Sequence, residues 1–226
     1  MRMVYHVMSA PQPLGLLFLA SGERGLRHVS FMDRRSLKRT IAVLDAASPG
    51  MRWEPSLFDL RPLADQLDQY FTGATHTLSW PIDPQGDELS RAVWRALLRV
   101  PYGETCTVAQ LAREVGQPRN LRAVAQAVLT NPLAIVVPCH RVLGADGKPS
   151  NYVGGLPRKK FLLAVEQRFR RMGGLDDNRV IGELTRRVVR ATTARAGVKR
   201  VTAKKRPVAA SSRASSPVKA PKKRSR

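Results

Sequence analysis

Residues 135–142 read Ile-Val-Val-Pro-Cys-His-Arg-Val. The apolar, β-branched run predicts a buried strand over 133–137, with Cys139 at its mouth. The thiolate is the reactive form of cysteine, and a neighbouring imidazole or positive charge lowers a thiol pKa. Since His140 and Arg141 follow directly, the stretch indicates a nucleophile with a lowered pKa. A buried, inert cysteine is the competing interpretation, because free cysteine is among the most buried residue types.

Glu166 is the candidate third member of a relay with Cys139 and His140. It lies close to the apolar side of a helix predicted to begin at Pro157, where a carboxylate needs a partner. In such a relay the glutamate orients the imidazole, and the imidazole takes the thiol proton. Spacing alone leaves the relay and the structural interpretation both open.

The cysteine and histidine content argues against a metal site. Cys106 and Cys139 are the only cysteines, no Cys-x-x-Cys occurs, and the four histidines have no ligand spacing. We expect no metal, no disulfide framework and no cofactor, in a reducing compartment such as the cytoplasm. No apolar run approaches the ~18 residues of a membrane span, so no membrane partner is expected.

The charge of the chain is strongly positive and uneven, with a formal net value of +22. From residue 179 onward, 16 Lys/Arg stand against one acidic residue, whereas the first 178 residues carry 23 basic and 16 acidic ones. The segment 176–226 is predicted to be a basic, mostly disordered tail. A polyanion is the expected partner, and the tail suits sequence-independent contact with phosphates.

The remainder predicts a mixed α/β (α+β) fold in two parts. An N-terminal α/β domain over 1–84 contains a three-stranded sheet and helices, and a mainly helical domain spans 85–175. In the first domain, strands are predicted at 3–9, 13–20 and 25–32 and helices at 34–47 and 61–72.

Two short helices around Gly116 predict a helix-turn-helix in the second domain. Thr107 opens the first with capping-box chemistry, and Pro118 suits the start of the second. The outer face of the second helix offers Arg119 and Arg122 for phosphates and bases. An ordinary solvated helix face is the alternative.

A glycine-rich loop follows the cysteine and reads Asn151-Tyr152-Val153-Gly154-Gly155. It is either a surface turn or a place where the backbone approaches a flat ligand. In the second case Tyr152 is a stacking or capping ring.

Together these motifs closely resemble the O6-alkylguanine-DNA alkyltransferases. The resemblance rests on Pro138-Cys139-His140-Arg141-Val142, on Asn131-Pro132 before it, and on the glycine-rich loop and Glu166 after it. It is strong over 87–169, which includes Pro101-Tyr102-Gly103-Glu104-Thr105, and looser over the N-terminal part, through Tyr70-Phe71-Thr72-Gly73. It does not cover the tail.

The resemblance implies direct reversal of DNA damage. The helix-turn-helix would enter the minor groove of double-stranded DNA, and the damaged guanine would be flipped into a pocket. Arg122 would fill the vacated space. Cys139 would take the alkyl group irreversibly in a single turnover, His140 would accept the thiol proton through a water and be oriented by Glu166, and Asn131 would brace the turn.

Contacts to the flipped base follow from the same resemblance. Carbonyls at Cys139 and Val142 would accept from the guanine amine, and the N–H of Val153 would donate to the leaving oxygen. The family usually has Tyr where this chain has Val108, so assistance to the leaving base is expected to be weaker or to come from Tyr152. The family's serine at Val153 and the zinc-binding cysteines of some members are also absent.

Two other interpretations stay open. One is a lesion sensor that binds alkylated DNA without transfer, against which Cys139 argues. The other is a nucleoid-coating protein driven by its tail. The chain is expected to be a monomer. It is expected to be cytoplasmic and nucleoid-associated, or nuclear in a eukaryote. The sequence does not decide between methyl and bulkier alkyl groups as the preferred lesion, or whether O4-alkylthymine is a further substrate.

Overall fold

A computed structural model describes residues 1–32, 36–47 and 49–172. The predicted tail over 176–226 lies outside the described residues. In chain order the elements are β1 (Arg2–Ala10), β2 (Gly15–Gly22), β3 (Gly25–Met32), α1 (Leu37–Ala47), β4 (Arg52–Pro55), α2 (Leu57–Thr72), α3 (Glu88–Leu97), β5 (Cys106–Thr107), α4 (Val108–Glu114), α5 (Leu121–Leu129), a 3₁₀ turn (Cys139–Arg141), β6 (Val142–Leu143) and α6 (Leu156–Met172). The mixed fold class is as predicted. None of the helices within these ranges is long and apolar enough to cross a membrane.

The N-terminal sheet has four strands in the order β3-β2-β1-β4, so the prediction of three strands was wrong by one. β1, β2 and β3 pair antiparallel, and β4 pairs parallel to β1. The missed strand has only four residues, Arg-Trp-Glu-Pro, which is too short and too polar to give an alternating apolar pattern.

The central strand β2 is buried on both faces because its side chains alternate between two cores. Leu17 and Leu19 belong to the large core, which includes α2 and the C-terminal half. Phe18 and Ala20 belong to a smaller core on the other face, where α1 packs. The sheet is therefore fixed against the part of the chain that carries Cys139.

The C-terminal half contains the predicted helix-turn-helix, formed by α4 and α5. Trp94 of α3 donates its indole N–H to the carbonyl of Ala127 at 2.8 Å and so fixes α3 against α5. Gly116 lies in the turn with φ of 71°. The predicted start of the second helix at Pro118 was wrong, because the chain first closes a turn, with the Asn120 N–H donating to the Gln117 carbonyl at 3.0 Å.

The predicted strand over 133–137 is instead a buried turn. Ile135 has φ of 75°, outside the extended region, and the N–H of Val137 donates back to the carbonyl of Leu133 at 2.8 Å. The segment also joins the N-terminal sheet: the Val29 N–H donates to the Pro132 carbonyl at 2.8 Å, and the Ala134 N–H donates to the Val29 carbonyl at 3.0 Å. Strand β3 thereby supports the turn that leads into Cys139.

Candidate functional site

Cys139 lies at the start of the 3₁₀ turn, and its side chain is buried. Its sulfur accepts a hydrogen bond from Nδ2 of Asn131 at 3.0 Å. The same amide nitrogen donates to the carbonyl of Val137 at 2.9 Å, and its Oδ1 accepts from the N–H of Leu133 at 3.0 Å. Asn131, which follows α5, thus ties that helix to the sulfur of Cys139 and to the turn before it.

The Cys139 thiol is neutral in this structure, contrary to the predicted lowering of its pKa. Burial raises the pKa of Cys139 to about 11, against weaker opposing effects from the Asn131 hydrogen bond and the Lys159 charge. The positive neighbour that motivated the prediction, Arg141, directs its guanidinium to Glu166. Desolvation therefore outweighs the charges near the sulfur.

His140 is fully buried and contacts Glu166, with 2.6 Å between Nε2 and Oε1. The His140 and Arg141 side chains hold the pKa of Glu166 at about 2 despite burial, so this carboxylate is an anion and accepts hydrogen bonds only. The Nε2 of His140 must therefore donate, which leaves Nδ1 as the basic nitrogen. Burial lowers the pKa of His140, and Nδ1 has no hydrogen-bond partner within the described part of the chain.

Glu166 accepts hydrogen bonds from four residues in three separate parts of the chain. Arg141 donates from Nε to both carboxylate oxygens at 3.1 and 3.0 Å and from Nη2 to Oε1 at 3.0 Å. The N–H of Gly103 donates to Oε2 at 2.9 Å, and the Tyr70 hydroxyl donates to Oε1. The sequence interpretation assigned no role to Gly103 or Tyr70, although both lie in segments that carried the family resemblance.

Lys159 is a further buried residue that the sequence interpretation missed. It is 1% exposed, and its Nζ donates to the carbonyl of Val142 and, at 3.3 Å, to that of Asn151. The N–H of Val142 donates to the carbonyl of Cys139. Both carbonyls predicted to receive the guanine amine thus already accept one hydrogen bond each, and each keeps a second lone pair.

The loop after the cysteine is held by the N-terminal sheet. The Tyr152 ring is buried, with its centroid 6.3 Å from that of His140 and 5.9 Å from that of Phe31 on β3. Gly154 packs so closely on the Phe31 ring that a Cβ would collide with it. Val153 is 45% exposed, so it lies at the rim of the site.

Three of the predicted DNA-contacting residues lie in the helix-turn-helix. Arg119 is exposed in the turn before α5, Arg122 is exposed in the first turn of that helix, and Val108 is half-buried at the start of α4. Since Arg122 is near the beginning of α5 and Asn131 follows its end, roughly 13 Å of helical rise separates them. Within the described ranges, no group of three His, Cys, Asp or Glu side chains is arranged to hold a metal ion.

Cys139 lies beside a histidine and glutamate pair, and Asn131 joins it to the end of a helix-turn-helix. This arrangement is typical of a cysteine-dependent group-transfer protein with a nucleic-acid-binding element. Two family models agree with it. That described as "6-O-methylguanine DNA methyltransferase, DNA binding domain" matches residues 88–168, and the "ribonuclease-like domain" model of the same methyltransferase matches residues 3–84.

Named relatives cover most of the described chain. A methylated-DNA–protein-cysteine methyltransferase of Methanosarcina barkeri is 38% identical over 165 residues, which is 73% of this chain and 98% of the relative. One from Mycobacterium tuberculosis is 43% identical over 163 residues, 72% of this chain and 92% of the relative. The crystal structure of the M. tuberculosis O6-methylguanine methyltransferase matches with a TM-score of 0.63 at 34% identity, covering 74% of this chain and 93% of that one. A structure of the M. tuberculosis protein in complex with DNA matches with a TM-score of 0.60 at 33% identity, covering 75% and 94%.

The chain belongs to the 6-O-methylguanine DNA methyltransferase family. The predicted family and enzyme class are thereby confirmed: it is a DNA-binding methyltransferase of direct-reversal repair.

Proposed function

We propose that this protein removes the alkyl group from O6-alkylguanine in double-stranded DNA by moving it onto Cys139, once per molecule. The observation that carries the proposal is the state of His140. Its Nε2 donates to the anionic Glu166, so Nδ1 is left as the basic nitrogen of a neutral imidazole. His140 directly follows Cys139 in the sequence, and the side chains of both residues are buried. A neutral imidazole of this kind can accept a thiol proton.

In the proposed reaction the alkylated guanine is flipped out of the duplex into the site. The thiol proton passes through a water to Nδ1 of His140 while the Cys139 sulfur attacks the alkyl carbon. An S–C bond forms, the C–O6 bond breaks, and the proton returns from the imidazolium to the departing guanine. The product is a thioether and normal guanine, so the protein is consumed.

The high pKa of Cys139, about 11, fits a reaction in which the thiol ionises only at the moment of transfer. A neutral, buried sulfur is protected from other electrophiles while the protein is free, since the thiolate is the reactive form. Backbone groups at Cys139, Val142 and Val153 are proposed to bind the base, with Tyr152 at its edge.

The experiment that tests this function mixes the full chain with a duplex carrying one O6-methylguanine and counts lesions removed per protein molecule. Removal is expected to stop at one lesion per molecule, with guanine restored in the strand. Tight binding without loss of the lesion would contradict the proposal in favour of a lesion sensor. Continued turnover would contradict the single-use mechanism.

Arg122 is proposed to occupy the space left by the flipped base, because it is an exposed cation at the start of the second helix of the helix-turn-helix. Replacing Arg122 with Ala should lower transfer from the duplex by roughly 10–100-fold. Transfer from free O6-methylguanine base should stay unchanged, because no base has to be flipped. Arg61→Ala, an exposed arginine on α2, is the control.

The tail over 179–226 is proposed to add sequence-independent affinity for DNA through its 16 Lys/Arg. The protein is proposed to bind DNA as a monomer. Deleting it should leave transfer intact and flatten the dependence of DNA affinity on salt, since fewer counterions are released. Loss of transfer together with the tail would instead favour the nucleoid-coating interpretation. This charge suits a protein that associates with the nucleoid in the cytoplasm or, in a eukaryote, with DNA in the nucleus.

A further inference from the structure

Tyr70 connects the N-terminal half of the chain to Glu166 and His140. It lies on α2 and is 1% exposed. Its hydroxyl donates to Oε1 of Glu166, the same oxygen that accepts from His140, and stands 3.5 Å from Nε2 of that histidine. Donation by a hydroxyl to a carboxylate is a charge-assisted hydrogen bond, which is stronger than a neutral one.

We propose that Tyr70 is a positioning residue of the transfer reaction: its hydroxyl fixes Glu166 Oε1 and thereby keeps His140 neutral with Nδ1 available to the thiol. The inference rests on the proposed function and adds to it a part for the N-terminal half. Tyr70 acts through Glu166 and does not touch the DNA base.

Three donors compete for one oxygen of Glu166. Glu166 Oε1 accepts from Tyr70, His140 and Arg141, so each donor reduces the negative charge left for the others. Without the Tyr70 hydroxyl, Oε1 attracts the proton on Nε2 more strongly, and this raises the pKa of His140. A histidine that is protonated at both nitrogens cannot accept a proton from the thiol.

The surroundings of His140 leave Glu166 as the group that favours its protonation. Burial and the charges of Arg141 and Lys159 all lower the pKa of His140, whereas Glu166 raises it. The pKa of Tyr70 is raised well above its usual value by burial and by Glu166, so the hydroxyl remains a donor. The groups that face this cluster from the packed elements are Tyr70, Tyr102, Cys139, Arg141, Tyr152, Lys159 and Glu166.

The chain offers a matched control in Tyr102. Its ring packs edge to face on that of Tyr70, with 5.5 Å between centroids, and burial raises the pKa of Tyr102 as it raises that of Tyr70. Its hydroxyl, however, has no hydrogen-bond partner among the described residues. Tyr102→Phe therefore removes a buried hydroxyl from the same cluster without touching Glu166.

The test compares wild type, Tyr70→Phe and Tyr102→Phe in single-turnover transfer between about pH 5 and pH 9. In Tyr70→Phe the acid limb should move to higher pH by about one unit, so that transfer falls about tenfold on that limb, with affinity for lesion DNA unchanged. Tyr102→Phe should keep the wild-type profile. An NMR titration of His140 in the DNA-free protein should show its pKa raised in Tyr70→Phe alone.

An unchanged acid limb in Tyr70→Phe, or an equal loss of rate at every pH, would overturn the inference, the second because it indicates a merely structural role. Difluorotyrosine at position 70 keeps the ring and strengthens the donor, so it should move the acid limb to lower pH; no movement would also contradict the inference. If the wild type itself transfers nothing, the proposed function has failed instead.

Discussion

The two ends of the site are built in opposite ways. At one end, the Cys139 sulfur accepts one side-chain hydrogen bond, from Asn131, and burial raises its pKa to about 11. At the other end, Glu166 is equally buried but accepts from a guanidinium, an imidazole, a hydroxyl and a backbone N–H, and its pKa is about 2. Both groups are buried, so the number and charge of the donors decide that the pKa of Glu166 falls while that of Cys139 rises.

This difference shows where the free protein keeps its charge. The permanent anion is at Glu166, and His140 lies between it and a sulfur that stays protonated. The arrangement keeps a base ready without a standing thiolate. Breaking either end should therefore have different consequences, the larger one at the charged end.

Glu166→Gln removes the anion and is expected to have the largest effect. Transfer should fall by about 10²–10⁴-fold, because His140 loses its orientation and its basic nitrogen is no longer defined. Stability should fall by about 3–5 kcal/mol, because Arg141 is left as a buried, unpaired cation. Single-turnover kinetics and denaturant unfolding measure the two losses.

The matched control is Glu104→Gln, which affects an exposed ion pair with Arg170 at 3.1 Å. Such a pair contributes about 0–1 kcal/mol, so both transfer and stability should stay close to wild type. Equal effects of the two substitutions would contradict the special status of Glu166.

The pH dependence of stability follows from the same carboxylate. Because the folded state depresses the pKa of Glu166 to about 2, its contribution is complete above the ordinary pKa of a glutamate and is lost as the pH falls towards about 2. Acid unfolding of the wild type should therefore include a component that Glu166→Gln lacks. Parallel acid-unfolding curves for the two proteins would be inconsistent with an ionised Glu166.

Asn131→Ala breaks the sulfur end and should have a smaller effect. The substitution leaves the Leu133 N–H without its partner, at a cost of about 1–3 kcal/mol, whereas the Val137 carbonyl still accepts from the N–H of Cys139. Loss of the donor to sulfur should raise the pKa of Cys139 further. Alkylation of the Cys139 peptide by a small thiol reagent, followed against pH by mass spectrometry, measures that shift.

Asn120→Ala is the control for this end, because the Asn120 side chain makes no capping hydrogen bond at the start of α5. It should change neither stability nor the reactivity of the thiol. A Cys139 pKa that is lower in Asn131→Ala than in wild type would reverse the assigned role of the amide.

Val108→Tyr is expected to give the smallest effect, a gain in transfer rate of a few fold. A hydroxyl at the start of α4 would assist the departing base, where valine cannot donate a proton. Single-turnover rates of Val108→Tyr and Val108→Phe separate the hydroxyl from ring size. A Phe variant as fast as the Tyr variant would contradict assistance by the hydroxyl.

Much of the site was predictable, because its residues are either close in sequence or have a side chain that requires a partner when buried. Cys139 and His140 are adjacent, and Glu166 was predicted from the need of a buried carboxylate for a partner. The pKa of Cys139 was not predictable, since sequence gives the neighbours of a thiol but neither its burial nor the direction in which Arg141 points.

Other parts depend on tertiary contacts that no local pattern encodes. Tyr70 lies on the buried side of α2, where helical periodicity indicates core packing, and its partner Glu166 is 96 positions away. The apolar run before the cysteine reads as a strand, yet Ile135 takes a positive φ and turns the chain back. Lys159 reads as a solvated helix residue but is buried on two carbonyls.

The central claim is that the Cys139 sulfur receives the alkyl group with His140 as its base. The most direct measurement is peptide mass spectrometry of the full chain after reaction with a duplex carrying O6-methylguanine. We predict one added methyl group on the peptide that contains Cys139, none on the Cys106 peptide, and none anywhere in Cys139→Ala. Loss of the lesion with Cys139 unmodified would contradict the account.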